Sequence, residues 1–347
     1  MRSLNPILVT GGAGYLGSWI VKLLLQRGYH VRTTVHDLAD RGKYQHLLHL
    51  RQDVNDGTLS VFEAELQKPG SFDEAMQGCE FVIHTASPFI LDSIEDPQSE
   101  LIDPAVQGTR NVLQTANRSP LVRRVVLTSS AAAIYGDSAD EEMHHGPFTE
   151  EDWNTSSTLD HQPYAYSKTL AEHVAWEIAR LQNRWDLVVL NPGFMIGPAV
   201  NPASSGVSNS MMKDLASGRF KHGMIDLWFG VVDVRDAAEA HLKACLSPVP
   251  QGRYIISGQD ASLFEIASTL RKEFGDRYPI PTRKAPKALA WLMAPRFHLT
   301  RKFVMRNANI PVHLDNHRSI DTLGMVYHPI ATAATEHFRQ VISFHHN

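Results

Sequence analysis

The stretch from Ile7 to Val35 constrains this chain more than any other. Ile7-Leu8-Val9 is a run of β-formers that stops at Thr10-Gly11-Gly12-Ala13-Gly14-Tyr15-Leu16-Gly17. Ser18 to Gln26 then carries apolar residues at helical spacing until Gly28, and Val31 to Val35 is strand-like again. Strand, glycine turn, helix and strand within about 30 residues make a βαβ unit. The alternation continues through Phe81–His84, the helical stretch Ala105 to Asn117, Arg124–Thr128, a long helix from about Ala165 to Gln182, and Leu187–Leu190. This predicts an α/β fold, a doubly wound parallel sheet with helices on both faces. After Pro192 the alternation is lost. Val231–Val234 and Tyr254–Ile256 read as late returns to the sheet, and a smaller lobe is expected from segment 193–230 together with residues 258–347, beside a main domain spanning 7–257.

The glycines satisfy both G-x-x-G-x-x-G (Gly11, Gly14, Gly17) and G-x-G-x-x-G (Gly12, Gly14, Gly17). A β-carbon there would keep a pyrophosphate from the free N–H groups that open the next helix. Set between the first strand and the first helix, the turn points to a bound dinucleotide. The second strand ends Val35-His36-Asp37, with Arg41 and Lys43 following, so no carboxylate stands at the strand tip and two cations lie close behind. That pattern favours NADP(H) and leaves NAD(H) open, since Asp37 could turn inward.

The formal net charge of −4, with Lys and Arg along the whole chain, gives no basic footprint for nucleic acid or an anionic membrane. A small-molecule partner is expected, for a monomer or homodimer. Two cysteines, Cys79 and Cys245, make no disulfide framework and suit a reducing, cytoplasmic setting. The chain opens on a strand rather than an export signal, and apolar runs such as Ala288–Ala294 are too short to span a bilayer. Among 18 histidines the densest groups are His144-His145, His345-His346 and the pair His46 and His49, none with acidic or cysteine companions at zinc spacing, so no metal is expected.

Tyr164 and Lys168 stand four apart near the start of a helix and share a face. A tyrosine is a better proton donor when a fixed ammonium stabilises its phenolate. Ser130, just past the strand ending at Thr128, is placed to hold a carbonyl oxygen beside it. Tyr166, two residues before Lys168, does not match the motif.

The stretches TGGAGYLGSWIVKLLLQRGYHVRTTV, GSFDEAMQGCEFVIHTASP, VRRVVLTSSAAAIYG, YAYSKTLAEHVAW, LNPGFMIGP, VVDVRDAAEAHL and QGRYI follow in order from residue 7 to about 257. With them the chain resembles an extended short-chain dehydrogenase/reductase, of the group that holds dihydroflavonol reductases, cinnamoyl-CoA reductases and aldehyde reductases. The resemblance implies an oxidoreductase with Ser130, Tyr164 and Lys168 as its triad. It further implies Glu65-Leu66 near the adenine, Thr85, Ala86 and Ser87 along the ribose, and Pro192-Gly193 beside the nicotinamide, with Lys168 also bonding that ribose. Two departures stand out: Glu65 replaces the family's usual aspartate and His36 its usual arginine, which leaves phosphate recognition largely to Lys43. Tyr135 and Gly230 occupy positions where plant flavonoid reductases supply polar contacts, which argues against a dihydroflavonol substrate.

Two other functions share this scaffold. One is a nucleotide-sugar epimerase or dehydratase with tightly held NAD; the other is a non-catalytic dinucleotide sensor, which the intact triad disfavours. Segment 193–230 holds only Lys213, Arg219 and Lys221 as cations against many apolar residues, a balance suited to an apolar aldehyde or ketone; Arg235 and Arg253, in the sheet-returning segments, stay open as partners for a second phosphate. Phe194, Met195, Met211, Met212, Met224, Trp228, Phe229, Trp291 and Met293 are pocket or core.

Overall fold

The computed structural model describes residues 5–50, 57–87, 94–144, 146–204, 206–297 and 299–345; His145 and His346 lie outside them. Seven strands form a parallel sheet in the order β3-β2-β1-β4-β5-β6-β9: β1 Ile7–Thr10, β2 His30–Val35, β3 Thr58–Glu63, β4 Phe81–His84, β5 Arg124–Thr128, β6 Asp186–Pro192 and β9 Gly252–Ile256. The order reverses between β1 and β4, which opens a crevice at their carboxyl ends.

Strand periodicity decides which helix covers which face. Ile7, Val9, Ile83, Val126, Val188 and Leu190 join the core beneath the Tyr15–Gln26 and Val234–Leu246 helices. Their alternates Leu8, Val82, Val125, Leu127, Leu187 and Val189 face the Asp103–Arg118 and Pro163–Arg180 helices. Every one of these side chains is almost fully buried. Truncating one of the leucines to alanine should cost about 2–5 kcal/mol.

The sequence hides β3: in TLSVFE the alternation of Thr58, Leu59, Ser60 and Val61 is broken at once by Phe62, so a six-residue edge strand leaves only a short period-two signal. It also misplaces one return to the sheet. Only β9 rejoins it. β8 (Trp228–Asp233) instead pairs with β7 (Phe194–Ile196) and β10 (Gln259–Ser262) in a separate three-stranded sheet, because Val231 turns into a second core with Met212, Ile266 and Phe338. That core is built from the Val207–Ser217, Leu263–Phe274 and Ile330–His345 helices. Leu323 and Met325, further along the chain, pack back onto the main core.

Candidate active site

The turn after β1 is built by close approach. A β-carbon on Gly17 would lie 2.3 Å from the Gly11 carbonyl oxygen, and one on Gly12 would lie 2.0 Å from Thr33 Oγ1. Gly11 has φ +68° and backs onto the Cα of Ala86. At Gly14, by contrast, an added β-carbon would meet only the Gly11 oxygen, at 3.3 Å. Gly14 is the N-cap of the Tyr15–Gln26 helix; no side chain caps that end and no carboxylate stands in its first turn. Ala13 is half-buried, Leu16 belongs to the core, and the Tyr15 hydroxyl donates to Gly197 O (2.5 Å) while its ring stacks on His337.

Three strand ends converge opposite this turn. Past β4, Thr85 Oγ1 donates to Thr10 O (2.6 Å) and Ala86 N to Thr10 Oγ1 (3.2 Å). Past β5, Ser130 caps a short 3-10 turn, its Oγ accepting from Ala132 N (3.1 Å). Past β6, Gly193 N donates to Ile256 O, and a β-carbon on Gly193 would lie 2.1 Å from Gly230 O, so packing alone demands glycine there.

The Pro163–Arg180 helix runs across these ends and presents Tyr164, Lys168 and Glu172 one turn apart. Ser130 is hydrogen-bonded to Tyr164; burial nevertheless pushes the phenol up to about 12, with the serine bond opposing that rise. The Lys168 ammonium sits 5.7 Å from the centre of the Tyr164 ring and donates to Ser87 Oγ at 3.0 Å. Burial brings the lysine down to about 8. Its neighbour His84, sharing a 2.7 Å hydrogen bond with Thr10 Oγ1, is pushed by burial, then by Lys168, down to about 3, so that imidazole is neutral at working pH. The structure thus brings Ser130, Tyr164, Lys168 and Ser87 together.

Two supporting networks escaped the sequence reading because they join residues far apart in the chain. Glu172 accepts from Ser129 Oγ (2.5 Å), Asn191 Nδ2 (2.8 Å) and Arg253 Nε (2.6 Å), and Asn191 Nδ2 also donates to Ser130 O (3.1 Å). Asp137, fully buried, accepts from Gln162 Nε2 (2.7 Å), Asn307 Nδ2 (2.6 Å) and Arg306 Nε (2.5 Å) and is bonded to His161 Nε2. Gln162, at φ 57°, immediately precedes the helix that carries Tyr164.

At the other end of the crevice, Asp37 is turned onto the backbone, accepting from Ala39 N at 2.7 Å, and His36 is exposed. Lys43 is 80% exposed and pairs with Asp40 at 2.9 Å, a bond that raises its pKa. Glu65 and Leu66 follow β3, half-buried; Lys68 lies 3.9 Å from the Glu65 carboxylate, and Asn111 Nδ2 donates to Leu66 O (3.3 Å).

Of the cations that could serve a second phosphate, Lys213 and Lys221 form no ion pair among the described residues, whereas the arginines are engaged. Arg219 pairs with Asp214, Arg235 with Asp233 and Glu336, and Arg253 with Glu172. Met211, Met212 and Met224 are core, whereas Trp228 packs against a cluster with Ala131, Tyr135, Phe148 and Leu314 beside Ser130. At Gly230 a β-carbon would lie 2.4 Å from Leu314 Cδ1. No group of three or more potential metal ligands occurs among the described residues; His144 is held by Asp152 and Gly146 O.

Residues 7–256 match the profile of the NAD dependent epimerase/dehydratase family. The chain belongs to that family. Within it, the chain is 35% identical over 336 residues to cinnamoyl-CoA reductase CAD2 of Medicago truncatula, covering 96% of this chain and 94% of that one. It is 34% identical to the bifunctional dihydroflavonol 4-reductase/flavanone 4-reductase of Pyrus communis, over 80% of this chain and 79% of the relative. Among solved members, yeast methylglyoxal/isovaleraldehyde reductase Gre2 complexed with NADPH superposes with a TM-score of 0.79 at 26% identity, covering 98% and 99% of the two chains.

Proposed function

We propose that this epimerase/dehydratase-family chain is an NADP(H)-dependent reductase that converts an aldehyde or ketone with an apolar body to the alcohol. The observation that carries the reading is the convergence of three side chains: Lys168 lies 5.7 Å from the centre of the Tyr164 ring, and Ser130 acts on the same buried phenol from the end of β5. Relatives named as a cinnamoyl-CoA reductase and a dihydroflavonol 4-reductase, and a solved methylglyoxal/isovaleraldehyde reductase complexed with NADPH, support it.

The crevice suits a dinucleotide: an uncapped helix N-terminus free of carboxylates, behind a turn whose Gly14 leaves room. Backbone groups of Gly11 to Gly17, Tyr15 and Leu16 included, would face the pyrophosphate. Glu65 and Leu66 would flank the adenine, Thr85, Ala86 and Ser87 the ribose, and Pro192 and Gly193 the nicotinamide. With Asp37 engaged by its own turn, Lys43, with His36, would take the 2'-phosphate, exchanging Asp40 for it. When bound, the cofactor supplies the hydride. The chain supplies the rest: Ser130 orients the carbonyl oxygen, Tyr164 donates the proton to it, and Lys168 stabilises the phenolate left behind.

The nucleotide-sugar alternative needs cations for a second pyrophosphate, and Arg235 and Arg253 are both held by carboxylates. Gly230 has no side chain to offer a polar contact, which disfavours a dihydroflavonol. We take the main domain as residues 7–257 and the lobe as 193–230 with 258–347. Two buried free cysteines fit a cytoplasmic setting, and no described helix is long and apolar enough to cross a membrane. A screen of NADPH oxidation over aldehydes, ketones and nucleotide sugars tests the reading: apolar aldehydes should be turned over and UDP-sugars should not, while micromolar competitive inhibition by UDP would overturn it.

A further inference from the structure

Charge summed over the chain conceals a local excess. Residues 277–314 contain eight Lys or Arg and no Asp or Glu, although the whole chain has 33 cations against 37 carboxylates. Within this stretch the Lys287–Met293 and Arg301–Asn307 helices lie together: Lys287 Nζ donates to Met305 O at 2.8 Å, and the Arg301 guanidinium stacks 4.4 Å over the Trp291 ring. Ala294, Val304 and Ala308 form a small core beneath them. Several large apolar side chains of this segment stand in solvent. Leu289 is 51% exposed, Leu292 61%, Phe297 44% and Met305 53%.

Among these apolar side chains stand Arg296, Arg301 and Lys302, all exposed. Lys284 and Arg306 are taken by Asp226 and Asp137, but none of those three pairs with a carboxylate among the described residues. An exposed apolar patch set with unpaired cations calls for a covering that is both oily and anionic. A second copy of the chain meets only half of that, since a two-fold contact through this face would set like charges against each other. Nucleic acid meets the charge but leaves the leucines and Phe297 in water.

We propose that this face docks the protein on the surface of an anionic phospholipid bilayer. Leu292 and Phe297 enter the boundary between headgroups and acyl chains, and Arg296, Arg301 and Lys302 meet the headgroups. The proposal is independent of the reductase reading, because none of these residues belongs to the crevice.

Co-sedimentation of the full chain with sucrose-loaded vesicles tests it. Vesicles of phosphatidylcholine with about 30% phosphatidylserine should pellet the protein in low salt, and far less of it at high salt, while pure phosphatidylcholine should pellet little. Replacing Arg296, Arg301 and Lys302 with serine should lower the partition coefficient by about fivefold per cation. Leu292→Ser with Phe297→Ser should weaken binding at every salt concentration. Thermal melting of each variant, unchanged from the parent, rules out misfolding as the cause. No pelleting with either vesicle, or equal pelleting with both, overturns the proposal. So does concentration-dependent self-association, or heparin retention without vesicle binding; either outcome would mark the face as a protein or polyanion surface.

Discussion

Glu172 and Arg253, 81 residues apart in sequence, form a 2.6 Å ion pair directly behind Ser130, with side chains 0% and 7% exposed. The pair carries two strand ends with it: Ser129 Oγ and Asn191 Nδ2 both donate to the same carboxylate oxygen. Arg253 in turn donates to the carbonyls of Glu150 and Asp152 and stacks 3.8 Å over Trp153.

Removing one partner should therefore strand a buried charge. Glu172→Gln is expected to lower unfolding free energy by about 3–5 kcal/mol, and the double change Glu172→Gln with Arg253→Met should recover part of it. Urea denaturation measures both. A loss below about 1 kcal/mol for the single variant would show that the pair does not organise these strand ends.

Asp137 joins the lobe to the Tyr164 helix. Burial opposes its ionisation, but the hydrogen bonds of His161, Asn307 and Arg306 outweigh burial and hold its carboxyl below the usual carboxylate range. Asp137→Asn loses acceptor capacity on the side of Gln162, the residue that sets the entry angle of Pro163 and Tyr164. We expect kcat to fall tenfold or more, on the order of what a small misplacement of a reacting group costs, with NADPH affinity nearly unchanged. Equal losses in kcat and cofactor binding, or no loss in kcat, would contradict a positioning role.

Much of this site was legible in sequence because local patterns encode it. The glycine turn is contiguous, and Tyr164 and Lys168 are fixed to one face by helical spacing. Asp137, Glu172, Asn191 and Arg253 were not legible, because their roles arise from contacts between β5, β6, β9 and the lobe that no local pattern records. β3 was missed because its six residues alternate only from Thr58 to Val61 before Phe62 breaks the pattern, and β8 was assigned to the wrong sheet because pairing partners are a tertiary choice. The whole-chain charge likewise hid the basic face at residues 277–314.

Lys168 makes two pH signatures. Its pKa in the folded protein is about 8 against an ordinary 10.5, lowered by burial. If the ammonium stabilises the Tyr164 phenolate as proposed, kcat/KM for reduction should fall above about pH 8. The unfolded chain holds more protons than the folded one between about pH 8 and 10.5, so this group's destabilising contribution is full below that window and fades as pH rises through it. Lys168→Met should accordingly raise Tm at pH 7, less so at pH 10, while abolishing activity. A variant less stable than the parent at pH 7 would contradict the burial cost.

In the proposed cofactor site Lys43 takes the 2'-phosphate. Lys43→Ala should weaken NADPH binding by roughly tenfold to a hundredfold, the scale of a charge-assisted bond, and leave NADH binding unchanged. Asp40→Ala, which frees the ammonium, should tighten NADPH. Fluorescence titration of both cofactors reads these values. Parallel losses for NADPH and NADH would remove Lys43 from phosphate recognition.

In the proposed reduction Tyr164 delivers the proton to a carbonyl held by Ser130. Stopped-flow oxidation of NADPH with an apolar aldehyde, comparing the parent with Tyr164→Phe at matched cofactor saturation, tests it most directly. The phenylalanine variant should bind NADPH as the parent does and reduce the aldehyde at least about a hundredfold more slowly, the scale of general-acid catalysis. Retention of most of the parent's rate would contradict the account.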